Sequence, residues 1–378
     1  MERRQFLKAL PAAALVLTAC GGTQQAPAQT DELVFDHTYP LDYAEQFSAE
    51  VYTDGSVLLT IAENGGKFLV RPEGAAELSA LPAGVVELRQ PIENIYLVST
   101  SVMDYFIRLD GLDAIALSGT KAEGWYLEEA RTAMETGAIA YAGKYSAPDY
   151  ERILAAHCGL SIQNTMIYHT PEVKEQLEKF GIPVLVERSS YESGPLARME
   201  WLKLYGILLG KTEQAEQLFA ETLAELEPLL AGQSTGKTVA FFSVTSNNLV
   251  TVRLGGDYVA QMIELAGGEY LFADLTENGN SLSTMNLPLE TFYAQAREAD
   301  VLIYNSTIEG VITTREQLVE KCPMLADFKA VQSGDCWCTA QSLFQQSMEL
   351  PALMLDMNHV FTEGDPAPDT LTMLQKIA

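Results

Sequence analysis

Through residues 212–231, TEQAEQLFAETLAELEPLLA, the apolar positions Ala215, Leu218, Phe219, Leu223, Leu226 and Leu230 recur at three- and four-residue steps. That is the helical period, and it predicts a helix of about 25–30 Å, the width of a small domain. Thr212 is placed to cap the first turn, Glu213 suits the positive helix end, and Gly232 offers a left-handed stop. Pro228 predicts that the regular part ends a few residues early. Before this helix, residues 49–52, 56–61, 68–71, 85–88 and 95–98 read as short β-runs, with Asp54-Gly55 and Asn64-Gly65 as hairpin signals. Helical patterns then cover 102–109, 127–136, 150–157 and 171–180, alternating with strand-like runs 114–118, 139–141, 160–166 and 184–187. A further amphipathic helix over 195–209 leads through Gly210-Lys211 into the central one. Beyond Gly232 the pattern restarts: strand 239–244, helices 258–266 and 289–299, strand 301–305, helix 315–322, strand 336–339 and a terminal helix over 350–361. Alternation of this kind implies parallel βα units.

The two halves echo each other. Asp149-Tyr150-Glu151 opens a helix leading into Leu160-Ser161-Ile162, and Pro288-Leu289-Glu290 opens one leading into Val301-Leu302-Ile303. Both strands end in polar residues, Asn164-Thr165 in one half and Asn305-Ser306-Thr307 in the other. The expected organisation is an N-terminal lobe over 32–211, a linking helix over 212–231 and a C-terminal lobe over 232–378.

The first 31 residues belong to neither lobe. Arg3, Arg4 and Lys8 precede an apolar run that is too short for a permanent membrane span and ends in Leu17-Thr18-Ala19-Cys20-Gly21. This predicts a lipoprotein signal over 1–20 with lipid on Cys20, and a flexible Gln, Ala and Pro tether over 21–31. The run Arg3–Lys8 also resembles a twin-arginine export signal. The protein is then extracytoplasmic, held on the outer face of the cell membrane, or periplasmic in a cell with two membranes. With 24 basic and 51 acidic residues the chain carries a net charge of −27, which makes a phosphate backbone a poor partner. Removal of the leader, with three basic residues and one acidic, deepens that charge.

After Cys20 the cysteines Cys158, Cys322, Cys336 and Cys338 are scattered and lack zinc-knuckle spacing; buried reduced thiols are the expectation. No GxSxG, Walker A, GxGxxG or HExxH constellation is present, so no catalytic residue is assigned and the chain reads as a binding protein. His37, His157, His169 and His359 are too dispersed to hold a bare transition metal, so any metal arrives inside an organic chelate.

Several segments carry a family resemblance in order: Glu151-Arg152-Ile153-Leu154, Pro171-Glu172-Val173, Gly181-Ile182-Pro183-Val184, Pro195-Leu196-Ala197-Arg198, the run from Leu209 to Glu216, and Met262–Gly268. Behind a lipobox, they resemble the substrate-binding lipoproteins of iron-siderophore, haem and cobalamin ABC importers, over roughly residues 138–361. The resemblance implies an α/β fold of two Rossmann-like βα lobes joined by a single rigid interdomain helix, with ligand in the cleft at the strand carboxyl ends. It also implies a monomer that serves an ABC permease and, through it, the ATPase. Glu151 and Glu290 match the two surface glutamates that pair with permease arginines.

Candidate cleft residues follow the strand ends: Trp125, Tyr141, Lys144, Tyr145, Tyr168, His169, Arg198, Arg253, Asn305, Trp337 and Gln345. Aromatic walls suit a large planar or chelated ligand, and arginines suit carboxylate or catecholate oxygens. A ferric siderophore is the first expectation, with haem and a corrinoid next; Tyr168 or His169 could ligate haem iron directly. No resident cofactor is implied. A surface-anchored enzyme acting on a tetrapyrrole or chelate is the reading from another class.

Overall fold

The computed structural model describes residues 33–277, 283–363, 366–367 and 370–378. The predicted signal, tether and Cys20 lie outside them. Strands β1 (Phe35–Thr38), β2 (Phe47–Tyr52), β3 (Val57–Ile61), β4 (Gly66–Arg71) and β5 (Val86–Arg89) form a sheet in sequence order. Its first four strands are antiparallel, and β5 joins in parallel. β6 (Ile95–Leu97), β7 (Ile115–Ser118), β8 (Ala140–Tyr141), β11 (Ser161–Gln163) and β12 (Val184–Val186) form a parallel sheet in the order β12-β11-β6-β7-β8. The short pair β9 (Gly143–Lys144) and β10 (Ala147–Pro148) stands beside it. Helices α1 (Met103–Arg108), α2 (Glu128–Glu135), α3 (Tyr150–Ala155) and α4 (Pro171–Lys179) connect these strands.

The second lobe holds β13 (Thr238–Val244), β14 (Leu249–Arg253), β15 (Glu269–Tyr270), β16 (Thr284–Pro288), β17 (Val301–Tyr304), β18 (Cys336–Thr339) and β19 (Leu374–Lys376). β13, β17 and β18 are parallel neighbours at its centre; β14, β16 and β19 continue the sheet outside them in antiparallel pairs, and short β15 pairs with β13 in parallel. Its helices are α7 (Tyr258–Leu265), α8 (Leu289–Ala296), α9 (Ser306–Glu309), α10 (Arg315–Lys321), α11 (Lys329–Ser333) and α12 (Leu350–Glu363).

Between the lobes run α5 (Pro195–Leu209) and α6 (Thr212–Leu230). The fold is therefore two βα lobes with the chain crossing between them through one long helix. Ala215 of α6 packs in the first lobe's core, while Phe219, Leu226 and Leu229 pack in the second's. Its ends differ from the sequence expectation. Lys211, not Thr212, is the cap residue, and its side chain donates to Leu109 O and Asp110 O rather than capping the helix. Pro228 sits inside the helix, which continues to Leu230. A proline in the last turn forfeits one backbone bond there, and Ala231 N still reaches Glu227 O at 3.1 Å. Ala231 ends the helix in right-handed geometry.

α5 is not amphipathic: every residue from Pro195 to Leu208 is buried. A helix buried on all faces needs apolar residues all round, and this one also carries Arg198, Glu200 and Lys203 inside. Leu196 and Met199 belong to the second lobe's core, and Trp201 through Leu208 to the first's. α5 and α6 thus pack against each other, and each contributes side chains to both cores. Cys158, Cys322, Cys336 and Cys338 are free thiols.

Candidate ligand cleft

In parallel sheets the loops leaving strand carboxyl ends gather on one side, and here those of the two lobes meet. The loop after β7 touches the loop after β18 through Gln345. Its Oε1 accepts from Tyr126 N at 2.8 Å, and its Nε2 donates to Gly124 O at 2.8 Å. The next residues continue the contact. Ser347 Oγ donates to Ser101 O at 2.9 Å, Met348 N donates to Asp104 Oδ2 at 2.6 Å, and Glu349 pairs with Arg108. Gln345 was expected to face ligand; it joins lobe to lobe instead. Gln345→Ala is expected to weaken this contact between the lobes by about 1–2 kcal/mol, read as a wider interlobe distance by fluorescence energy transfer between labelled lobes.

Under this seam lies a buried polar floor. Glu187 follows β12 and accepts from Ser189 N at 2.6 Å and from Ser99 Oγ at 3.2 Å. Arg198, 2% exposed, stacks over Tyr258 at 4.6 Å and donates to Ser190 Oγ at 2.9 Å. Burial by itself would lower its pKa, but Tyr258, Tyr105, Glu187 and Asp257 outweigh it and hold the guanidinium above its ordinary range. Arg198 was placed among the ligand contacts by sequence. It is instead a pin in the floor, because α5 turns that face inward toward both lobes.

Asp104 is pushed above the usual carboxylate range by burial, against the opposing pull of Met348 N and Arg108. A raised acid stabilises the fold fully only below its unfolded pKa, and that contribution is lost as pH rises through the folded value. Asp104→Asn is therefore expected to gain stability relative to the parent at pH 7. The gain should shrink as pH falls through the folded value, measured by urea unfolding at several pH values.

Two tryptophans also change role. Trp125 and Trp337, each 1% exposed, are core residues. Trp125 Nε1 donates to Ser118 Oγ at 3.2 Å, and Trp337 lies in β18 between β17 and β19. Nearness to a strand end made them candidates, but packing buries both rings. Asn305 caps α9, its Oδ1 accepting from Thr307 N at 3.2 Å and Thr307 Oγ1 at 2.8 Å.

The remaining candidates form separate groups. Tyr168, 40% exposed, and exposed His169 stand in the turn after β11 beside Met166, with Tyr168 OH donating to Glu63 O at 3.2 Å. Tyr141 lines an open hollow with Lys121, Glu123, Met134 and Arg152, and Lys121 lies 5.8 Å from its ring. Lys144 is exposed and Tyr145 half-buried in the nearby hairpin. On the second lobe Arg253 stacks on Phe344 at 4.7 Å and pairs with Asp257 at 3.5 Å. Sequence reasoning missed Arg188 and Tyr191, stacked at 4.6 Å just after β12, and Ile308, 74% exposed after β17. The strand-end rule that found Tyr168 would have found all three. Glu151 and Glu290 are exposed, each in the first turn of a helix that precedes a central strand. Among the described residues no three His, Cys, Asp or Glu side chains converge as a metal site.

Two lobes meeting at strand carboxyl ends over a shared helical floor define a bilobal binding protein. Residues 95–339 match the periplasmic binding protein family, and the chain belongs to it. It is similar in fold to a periplasmic haem-binding protein of Vibrio cholerae (15% identity, TM-score 0.57, 72% of this chain and 99% of that one). A structure described as an ABC-type Fe3+-hydroxamate transport system from Saccharomonospora viridis is also similar (20% identity, TM-score 0.56, 72% and 93%). An uncharacterized lipoprotein of Methanocaldococcus jannaschii is 25% identical over 232 residues, 60% of this chain and 53% of that protein. The chain spans about half the length of the curated relatives it matches.

Proposed function

We propose that this protein is the extracytoplasmic solute-binding component of an ABC importer, which holds an iron(III)-siderophore-type chelate between its lobes and delivers it to the permease. The observation that carries the reading is the meeting of strand-end loops from both lobes, with Tyr168, Met166 and Ile308 exposed in other strand-end loops of the two lobes. Half-exposed apolar and aromatic side chains beside hydrogen-bonding groups suit a bulky chelate whose metal is already wrapped. Cations in these loops are few, and Arg253 is engaged by Asp257. That balance favours a chelate of low negative charge over a catecholate. Haem is the second reading, favoured by the adjacent exposed pair Tyr168 and His169, either of which can ligate iron. A corrinoid would use the same aromatic surfaces.

In this reading, lobes over 32–211 and 232–378 twist slightly about the helix over 212–231, because the paired helices α5 and α6 resist bending. Glu151 and Glu290 present one fixed charge per lobe to basic residues of the permease, and complementary charge sets docking orientation and speed. A lipid on Cys20 would keep the monomer at the membrane. The chain binds and releases its cargo without turnover. Absorption spectroscopy and native mass spectrometry of protein isolated from its own host test this. A visible charge-transfer band with a matching ligand mass supports the ferric chelate, a Soret band haem, and corrin bands a corrinoid. Conversion of an added chelate to product would overturn the reading in favour of an enzyme.

A further inference from the structure

The matched family region begins at residue 95, yet a piece of the preceding sheet reaches the loop at the carboxyl end of β11. Residues 62–65 form the turn between β3 and β4. Gly65 N donates to Ala62 O at 3.0 Å, and both central residues are left-handed, Glu63 at φ 51° and Asn64 at φ 64°. Positive φ at both positions defines a tight hairpin turn of fixed shape, with its two central side chains turned outward. Both are exposed.

Three bonds fasten this sheet to the rim of the first lobe. Val186 N, at the carboxyl end of edge strand β12, donates to Gly65 O at 3.1 Å. Tyr168 OH donates to Glu63 O at 3.2 Å, and Arg188 Nε donates to Gln46 Oε1 at 3.0 Å. The approach depends on glycine: a Cβ at Gly65 would lie 2.3 Å from Ile61 Cγ2 and 3.0 Å from Val186 O. The turn thus covers an edge strand that would otherwise be open, at the carboxyl end of that strand. Around it stand Arg188 over Tyr191 at 4.6 Å, with Thr165 Oγ1 at 3.1 Å from the Tyr191 hydroxyl.

We propose that the β3–β4 turn is a wall of the cleft, where the Glu63 carboxylate and Asn64 amide select cargo by charge. The inference rests on the importer reading and deepens it. A carboxylate at this rim accepts hydrogen bonds from amide or ammonium groups of a neutral or cationic chelate. It repels the oxygens of an anionic one. The charge acts through water at short range, so its effect fades as salt rises.

The test compares a neutral ferric trihydroxamate, an anionic ferric tricatecholate and haem, titrated against the wild type, Glu63→Gln and Glu63→Lys at low and high salt. Both substitutions are at an exposed turn position, and unchanged thermal unfolding verifies the fold. The expected result is a stepwise gain for the anionic chelate relative to the neutral one, about threefold in Glu63→Gln and about tenfold or more in Glu63→Lys, shrinking at high salt. An unchanged ratio in both variants, with the wild type binding at least one compound, overturns the wall and leaves the importer reading intact. A wild type that binds none of the three overturns the chelate reading and the wall with it.

Discussion

Glu200→Ala is expected to lower the unfolding free energy by about 3–5 kcal/mol. Glu200 is fully buried on α5, and its carboxylate accepts from three successive backbone amides, Asp42 N at 2.9 Å, Tyr43 N at 2.8 Å and Ala44 N at 2.8 Å. Lys203 Nζ adds a fourth contact at 2.7 Å. Truncation leaves three part-buried backbone donors without this acceptor and the Lys203 ammonium with only Pro40 O at 3.4 Å, and an unmet buried group costs more than the bond it lost. Neighbouring Glu192 does not compensate, because it is engaged with Gln46 N at 2.9 Å and Trp201 Nε1 at 2.8 Å. These two acids bind the strap between β1 and β2 to the interlobe helix. Glu200→Gln keeps an acceptor but not the charge, and should lose about half as much. Urea unfolding measures both, and hydrogen exchange should show residues 42–46 opening first. A loss below about 1 kcal/mol for the alanine variant would mean that water replaces the carboxylate and that the strap is not held as described.

The second large effect concerns delivery. Reversing charge at both Glu151 and Glu290 to lysine is expected to slow permease-dependent uptake on the order of a hundredfold, about tenfold for each site, with the defect greatest at low salt. Both residues are exposed in the first turns of α3 and α8, so the substitutions remove no core packing. Lysine at a helix start also loses a small favourable interaction with the helix dipole, worth about 0.3–1 kcal/mol. That cost bears on stability and leaves cargo affinity alone. Uptake into cells or reconstituted vesicles, measured beside cargo affinity in solution, separates the two. Equal uptake by the double variant and its parent would remove these glutamates from docking.

Much of the fold was legible because it rests on local period. α5 appears at 195–209 as expected, and β3, β7, β12 and β17 fall within a residue or two of their predicted runs. Four strands of the second lobe, β14, β15, β16 and β19, lie outside the predicted runs. β14 in fact carried a signal, since Leu249–Arg253 alternates after the Asn247-Asn248 turn. The site was less legible. A tryptophan one residue beyond a loop reads the same whether its ring turns to ligand or to core, and only packing sent Trp125 and Trp337 inward.

By itself the sequence determined the alternation of strands and helices, the restart after a long helix, and the acidic helix starts at Glu151 and Glu290, because each is written in near neighbours. Tertiary structure alone decided that α5 lies beneath α6 as a buried floor, that Gln345 and Arg198 join lobes, and that a distant hairpin turn meets Tyr168. Gln345 meets Tyr126 and Tyr168 meets Glu63 across more than a hundred positions, Arg198 meets Tyr258 from a separate element, and no short-range periodicity records which partner will arrive.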